Sequence, residues 1–294
     1  MHLFEIPLPA LLSQLLLGLV NGSFYAMLSL GLAVIFGLLG VINFAHGALF
    51  MLGAVLAWMG MEYLGLGYWT MLLLAPLIVA GLGVVMELVL LRWIYKLDHL
   101  YGLLLTLGIT LLLEGTLRAG YGVSGLPYAT PDGLTGATDV GFMVLPNYRA
   151  WVVAASLSTC LGTWLLIEKT PLGARLRAGT ENPKIVASFG VNVPLMITLT
   201  YAFGAALAAL GGVLAAPVIQ VSPLMGQNLI IVVFAVVVIG GMGSILGAVA
   251  TGLGLGVIEG LTKVVYPEAS STVVFVVMVL VLLVRPAGLF GKES

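Results

Sequence analysis

Charge is what this sequence has least of. Only 8% of its 294 residues are Asp, Glu, Lys or Arg, against roughly a quarter in an ordinary soluble domain. With 61% apolar residues and a mean hydropathy of +1.18, too few polar side chains remain to cover a water-facing globule. A soluble enzyme and a disordered chain are both excluded. Formal net charge is −1 and no basic cluster of the size that phosphate-backbone binding needs is present, so nucleic acid is not a partner. The single cysteine, Cys160, sits in an apolar run, which rules out an intrachain disulfide and a cysteine-based metal site. His2, His46 and His99 are too scattered for a metal centre. GxxxxGK(S/T), HExxH and GxSxG are all missing, so the phosphate-loop, zinc-protease and serine-hydrolase routes are closed. The chain is expected to hold no metal and no cofactor and to act as something other than an enzyme.

What it does have is apolar sequence in long runs. A membrane crossing takes about 20 apolar residues, so the length accommodates roughly eight to nine spans. Runs at about 11–36, 47–62, 69–91, 100–118, 150–167, 194–217, 228–241, 244–265 and 272–284 read as an all-α, polytopic transmembrane helical bundle in a single domain over 1–294. A β-barrel would instead show alternating segments of about ten residues. The runs at 47–62, 228–241 and 272–284 are short, and one or more of them is expected to be broken or re-entrant. Glu5 stands where a secretory signal carries Lys or Arg, and no cleavage site follows, so the first run reads as a retained helix.

Loops rich in Lys and Arg stay in the cytoplasm. The connection at 168–190 holds Lys169, Arg175, Arg177 and Lys184, Arg92 and Lys96 mark a second loop, and Arg285 with Lys292 mark the carboxyl end. Even numbers of spans separate the three sites, so all can lie inside, which puts the amino end outside. The long connection at 119–150 is rich in Gly, Pro, Asp and Thr. It then becomes an outer surface loop, either a plain connector or a contact for an external protein.

Small residues at four-residue spacing let helix backbones approach in lipid. Ala248, Gly252, Gly256 and Gly260 form one such stripe; Thr200, Gly204, Ala208, Gly212 and Ala216 a second; and Gly18, Gly22, Tyr25 and Ser29 a third. They predict tightly packed helices able to slide on one another. Polar residues at membrane depth are costly and tend to face a cavity or a partner. Here they are Asn21, Asn43, His46, Glu87, Glu114, Gln227, Asn228 and Glu259. Asn43 and His46 share a face if their stretch is helical, and they either touch a transport route or cap the short helix that follows. Together with Asn21, Tyr25, Gln227 and Asn228 they are the candidate substrate path. Glu87, Glu114 and Glu259, each near a span end, read as snorkelling or paired.

The basic loop reads EKTPLGARLRAGTENPKIVASFGV. Pro171 suits the first turn of a helix through Arg177. Pro183 opens a second through Phe189, with Glu181 and Asn182 near its start and Gly190 as its stop. Such a helix pair at the membrane surface suits a cleft on a soluble protein better than a lipid surface.

The stretches NGSFYAMLSLGLAVIFGLLGVINFAHGALFMLGA, TPLGARLRAGTENPKIVASFGV, GGMGSILGA and RPAGLFG resemble the high-affinity branched-chain amino acid permeases of bacterial ABC importers, over residues 11 to 291. The resemblance implies a bacterial inner-membrane subunit that pairs with a second, related permease and docks two cytoplasmic ATPases, which bind the ATP. It also implies delivery of substrate by a periplasmic binding protein. The coupling element would be 170–190, with Thr170, Pro171, Gly173, Arg175, Arg177, Glu181, Asn182, Pro183 and Gly190. ATP-driven closure would push on it and rock the glycine-striped helices. Urea permeases of the same superfamily tend to differ around Asn43, Phe44, Ala45, His46, Gly47 and Ala48, whereas amide and aromatic-acid importers share the segment. The alternative is an ion-coupled transporter or channel for a small polar solute, working through Glu87, Glu114 and Glu259. A membrane enzyme or scaffold ranks last.

Overall fold

A computed structural model describes residues 7–40, 42–95 and 97–291, without the side chains of Leu38, His99, Thr180, Glu181 and Pro183. The readings placed on His2, Glu5, Lys96 and Lys292, and on the side chains of His99, Glu181 and Pro183, lie outside the described residues. Among those residues the chain is almost entirely helical. The helices are α1 (Leu8–Leu39), α2 (Ala45–Leu64), α3 (Tyr68–Ile94), α4 (His99–Tyr121), α5 (Asn147–Lys169), α6 (Pro171–Glu181) and α7 (Pro183–Ser188), followed by α8 (Val193–Ile219), α9 (Met225–Gly240), α10 (Ile245–Val265) and α11 (Val273–Val284). A small antiparallel hairpin, β1 (Ala137–Asp139) with β2 (Val144–Pro146), decorates the connection between α4 and α5. Seven helices, α1 to α5, α8 and α10, are long and apolar enough to cross a membrane, while α9 and α11 have only 16 and 12 residues. The run expected to be short at 47–62 is instead a full 20-residue helix, α2.

Glycine sets two of the ends. Gly40 (φ 62°) closes α1 and Gly65 (φ 63°) closes α2, each in the left-handed conformation that costs other residues energy. α1 is the axis of the bundle. It lies along α10, where Gly18 faces Gly256 and Gly22 faces Gly252, and along α8, where Gly31 and Ile35 meet Gly204. α2 crosses α8 at Gly53, Ala209 and Gly212, so the best-buried residues, among them Met27, Leu30, Phe50, Ala54, Ala208 and Leu214, come from these three helices.

The helices other than α6 and α7 run alternately up and down, so residue 8 and residue 285 lie at opposite faces. At one face the connection between α4 and α5 is tied down by backbone bonds between Leu126 and Val221, with Trp58 edge-on to Tyr121 (5.4 Å) nearby. At the other, Gly37 meets Gly243 and Leu289 N donates to Ile239 O (2.8 Å). This second face carries Arg92, Lys169, Arg175, Arg177, Lys184 and Arg285, and the first carries Arg118, Arg149 and Lys263.

Candidate functional site

The chain breaks after α1 and re-enters the bundle before α2. Asn43, 1% exposed, donates from Nδ2 to Tyr201 Oη (3.2 Å), and Phe44 N donates to Thr106 Oγ1 (3.2 Å). His46 Nε2 lies 3.0 Å from Leu28 O, and since a carbonyl only accepts, Nε2 carries the proton. Asn43 Oδ1 and His46 Nδ1 are buried without partners. The space beside His46 is only about 10 Å³, closed by Leu28, Phe50, Gly226 and Ile230, which is room for at most one water and no solute. Two expectations change here. Asn43 precedes the helix instead of sharing a helical face with His46, and it does not cap α2, whose capping position is Phe44 with no side-chain cap bond. Its amide is held by Tyr201 on α8 instead.

Below the break is a charged cluster. α3 contains a π turn, Glu87–Leu91, closed by a bond from Arg92 N to Glu87 O. Glu87 is fully buried; its Oε2 accepts from Arg92 Nη2 (3.1 Å) and Thr198 Oγ1 (2.7 Å), and its Oε1 from Arg92 Nε (3.3 Å). Three acceptances on two oxygens compensate the loss of water. Thr198 and Tyr201 sit three apart on α8, so one helix face holds Glu87 by its first residue and Asn43 by its second. Neither residue stands out in the sequence, because a lone Thr or Tyr in an apolar helix carries no motif.

The remaining polar residues are distributed around α1. Tyr25 Oη donates to Glu259 Oε2 (2.8 Å), and Lys263 Nζ to Glu259 Oε1 (2.6 Å), so Glu259 is paired. Asn21, half-buried, lies one turn from Tyr25. Gln227 and Asn228 are exposed in the first turn of α9, and among the described residues neither amide side chain has a hydrogen-bond partner. Glu114, read from sequence as snorkelling or paired, does neither fully: it is 3% exposed and its Oε1 has no partner. The six candidate path residues therefore form no single pocket. Among the described residues no three His, Cys, Asp or Glu side chains converge.

The small-residue stripes are seams. A Cβ on Gly252 would stand 2.5 Å from Ala26 N and one on Gly18 2.5 Å from Gly256 O; Gly256 is held against Gly22, Gly260 against Gln14, and Gly212 against Phe50. Ala208 is wholly buried and Ser29 Oγ lies 3.3 Å from Ala248 O.

α6 and α7 lie outside the bundle at the basic face. Thr170 Oγ1 accepts from Gly173 N (3.4 Å) to start α6, with Pro171 at its first position, and Asn182 Oδ1 accepts from Ile185 N (3.1 Å) to start α7. Gly173 sits against the Ile167 backbone, where any side chain would collide. Gly190 (φ 80°) turns the chain toward α8. Arg177 is an anchor: it donates to Ile167 O (2.6 Å) and pairs with Glu168 (3.0 Å). Arg175 has no partner among the described residues, and Ile185 and Phe189 are 53% and 83% exposed. Those two apolar side chains, absent from the candidate set, were visible in the sequence as apolar positions in an otherwise polar loop. An apolar cavity of about 200 Å³ lies between α6 and the helices α1, α5 and α8, lined by Val34, Ile167, Leu172, Leu176, Met196 and Phe203.

The family described as "Branched-chain amino acid transport system / permease component" matches residues 14–282. The chain belongs to this family. It is a multi-pass membrane permease, and its relatives are transport permeases and not enzymes. It is 31% identical to the high-affinity branched-chain amino acid transport system permease protein BraD of Pseudomonas aeruginosa, and 30% identical to LivH of Escherichia coli K12. In both cases 96% of each chain is covered. It is also similar to LivM of Salmonella typhimurium, 31% identical over 90% of this chain and 67% of that one. The permease family thus contains two related chains with the same kind of transport name.

Proposed function

We propose that this permease is one of two membrane subunits of an ATP-driven importer that carries branched-chain amino acids, delivered by a periplasmic binding protein, into a bacterial cytoplasm. The observation that supports it best is the α6–α7 element. It projects from the basic face with the side chains of Arg175, Ile185 and Phe189 unpartnered among the described residues, in a chain without a phosphate loop of its own. An exposed aromatic and an exposed arginine on one surface element are what a protein cleft binds. The ATP is bound by two partner ATPases, and this chain holds no cofactor and performs no chemistry. Six of its described basic residues lie on the α6–α7 face and three on the other, an asymmetry that supports a cytoplasmic α6–α7 face with the amino end outside and the carboxyl end inside. The 119–150 connection then faces the periplasm and 168–190 is the coupling loop.

In this mechanism ATPase closure displaces α6. Because Arg177 ties α6 to the end of α5, and α8 follows α7 directly, the displacement is passed to the glycine seams between α1, α8 and α10. Small residues there leave few interlocking side chains to disrupt. The test is uptake of labelled leucine by vesicles reconstituted with the complete transporter, binding protein outside and ATP inside. Uptake requiring both is expected; uptake driven by an ion gradient without ATP overturns the reading.

A further inference from the structure

We propose that the side of the bundle formed by α9 and α11 is where this subunit meets the second permease, and that the solute path runs between them along Gln227, Asn228 and Ile231. The proposal rests on the importer reading above and deepens it by assigning the face.

Length is the first argument. At 1.5 Å per residue α9 is about 24 Å long and α11 about 18 Å, short of the roughly 30 Å of hydrocarbon a lipid-facing helix must cross. Backbone groups at their ends would lie in lipid unless protein or a watery path covers them. By contrast α3, α4 and α5 have 27, 22 and 23 residues in their apolar spans and expose Leu77, Leu112 and Leu161, as lipid contact requires.

Depth is the second. Gly226, next to Gln227, lies against Gly47 in the first turn of α2, and neighbouring His46 reaches Leu28 of α1. Leu28 is about 30 Å along α1 from its start and about 16 Å from its end. The first turn of α9 therefore begins inside the bundle, not at its rim. Two exposed carboxamides without partners at that depth are costly in hydrocarbon. Facing a path between subunits, they supply donors and acceptors to both ends of a zwitterion, while Ile231 (55% exposed) and the partly buried Phe234 supply an apolar wall. Asn43 and His46, sealed by packing, then shape the seat of α9 instead of touching solute. A second chain of the same fold brings the same short pair of helices, so a pseudo-two-fold meeting covers both pairs at once.

The test is photo-crosslinking in the intact transporter in its membrane, with benzophenone side chains at Ile231, Val279, Leu77 and Leu161 in turn. Adducts with the second permease at Ile231 and Val279, and with lipid at Leu77 and Leu161, are expected. The reverse pattern, or lipid adducts at all four, overturns the assigned face. An adduct between two copies of this chain overturns the choice of partner. The variant Gln227→Leu with Asn228→Leu should assemble normally but take up solute at least tenfold more slowly, and unchanged uptake overturns the path. Purification of an active transporter with no second permease also overturns the assigned partner, whereas uptake driven by an ion gradient without ATP refutes the importer reading itself, whatever the crosslinking pattern.

Discussion

Glu87 and Arg92 are joined across 3.1 Å although five positions separate them in one helix. In a regular helix residues that far apart point about 140° away from each other. The π turn between them brings them to one side, and Thr198 of α8 completes the shell around the carboxylate. The turn and the ion pair therefore depend on each other.

Removing one partner leaves a buried charge, so Arg92→Met should destabilise the detergent-solubilised protein by about 1–3 kcal/mol, the half-exposed Arg92 keeping the cost below that of a fully buried pair. Glu87→Gln retains an acceptor for Thr198 and Arg92 and should cost less. Thermal unfolding of both variants measures the order, and a smaller loss for Arg92→Met contradicts it.

The seams give a contrast within α10. Gly252→Ala places a methyl group into the Ala26 backbone and should cost about 1–3 kcal/mol, whereas Gly254, with nothing near its would-be Cβ, should accept alanine with a gain of about 0.4–1 kcal/mol. Melting temperatures of the two variants in one detergent are the comparison.

In the surface element, Phe189→Ala and Arg175→Glu should each weaken ATPase binding roughly tenfold, as loss of an interface anchor does, without changing the melting temperature. Arg177→Ala should instead loosen α6 from the end of α5 and increase proteolysis near residue 170. Co-purification with the ATPases and limited digestion separate the two roles.

Glu114 has a carboxylate oxygen without a partner inside α4, the arrangement that ion coupling would use. In an ATP-driven importer its charge has no part in the work, so Glu114→Gln and Glu259→Gln should keep uptake within about twofold. Loss of uptake in Glu114→Gln with normal ATPase activity would favour the ion-coupled alternative.

Helical periodicity is a local property, and so the nine apolar runs, the two short helices of the basic loop and the glycine seams were legible in the sequence. Gly256 and Gly22 each fall in a four-residue stripe, and backbone approach is the only use lipid offers for one. The polar residues were legible as exceptions but not in their roles. Asn43 read as either a path residue or a cap because both are judged from neighbours in sequence, while the group that holds it, Tyr201, is contributed by a helix far along the chain.

Composition and spacing determined that the solvent is lipid and that the fold is helical, since both follow from which residue types are present and how they recur along the chain. Only the tertiary structure decided that His46 is sealed, that Glu87 is paired through a π turn, and that Gln227 and Asn228 open outward from the middle of the bundle. Burial and pairing are set by which helices become neighbours. That choice rests on the summed fit of many distant surfaces, which no stretch of sequence contains.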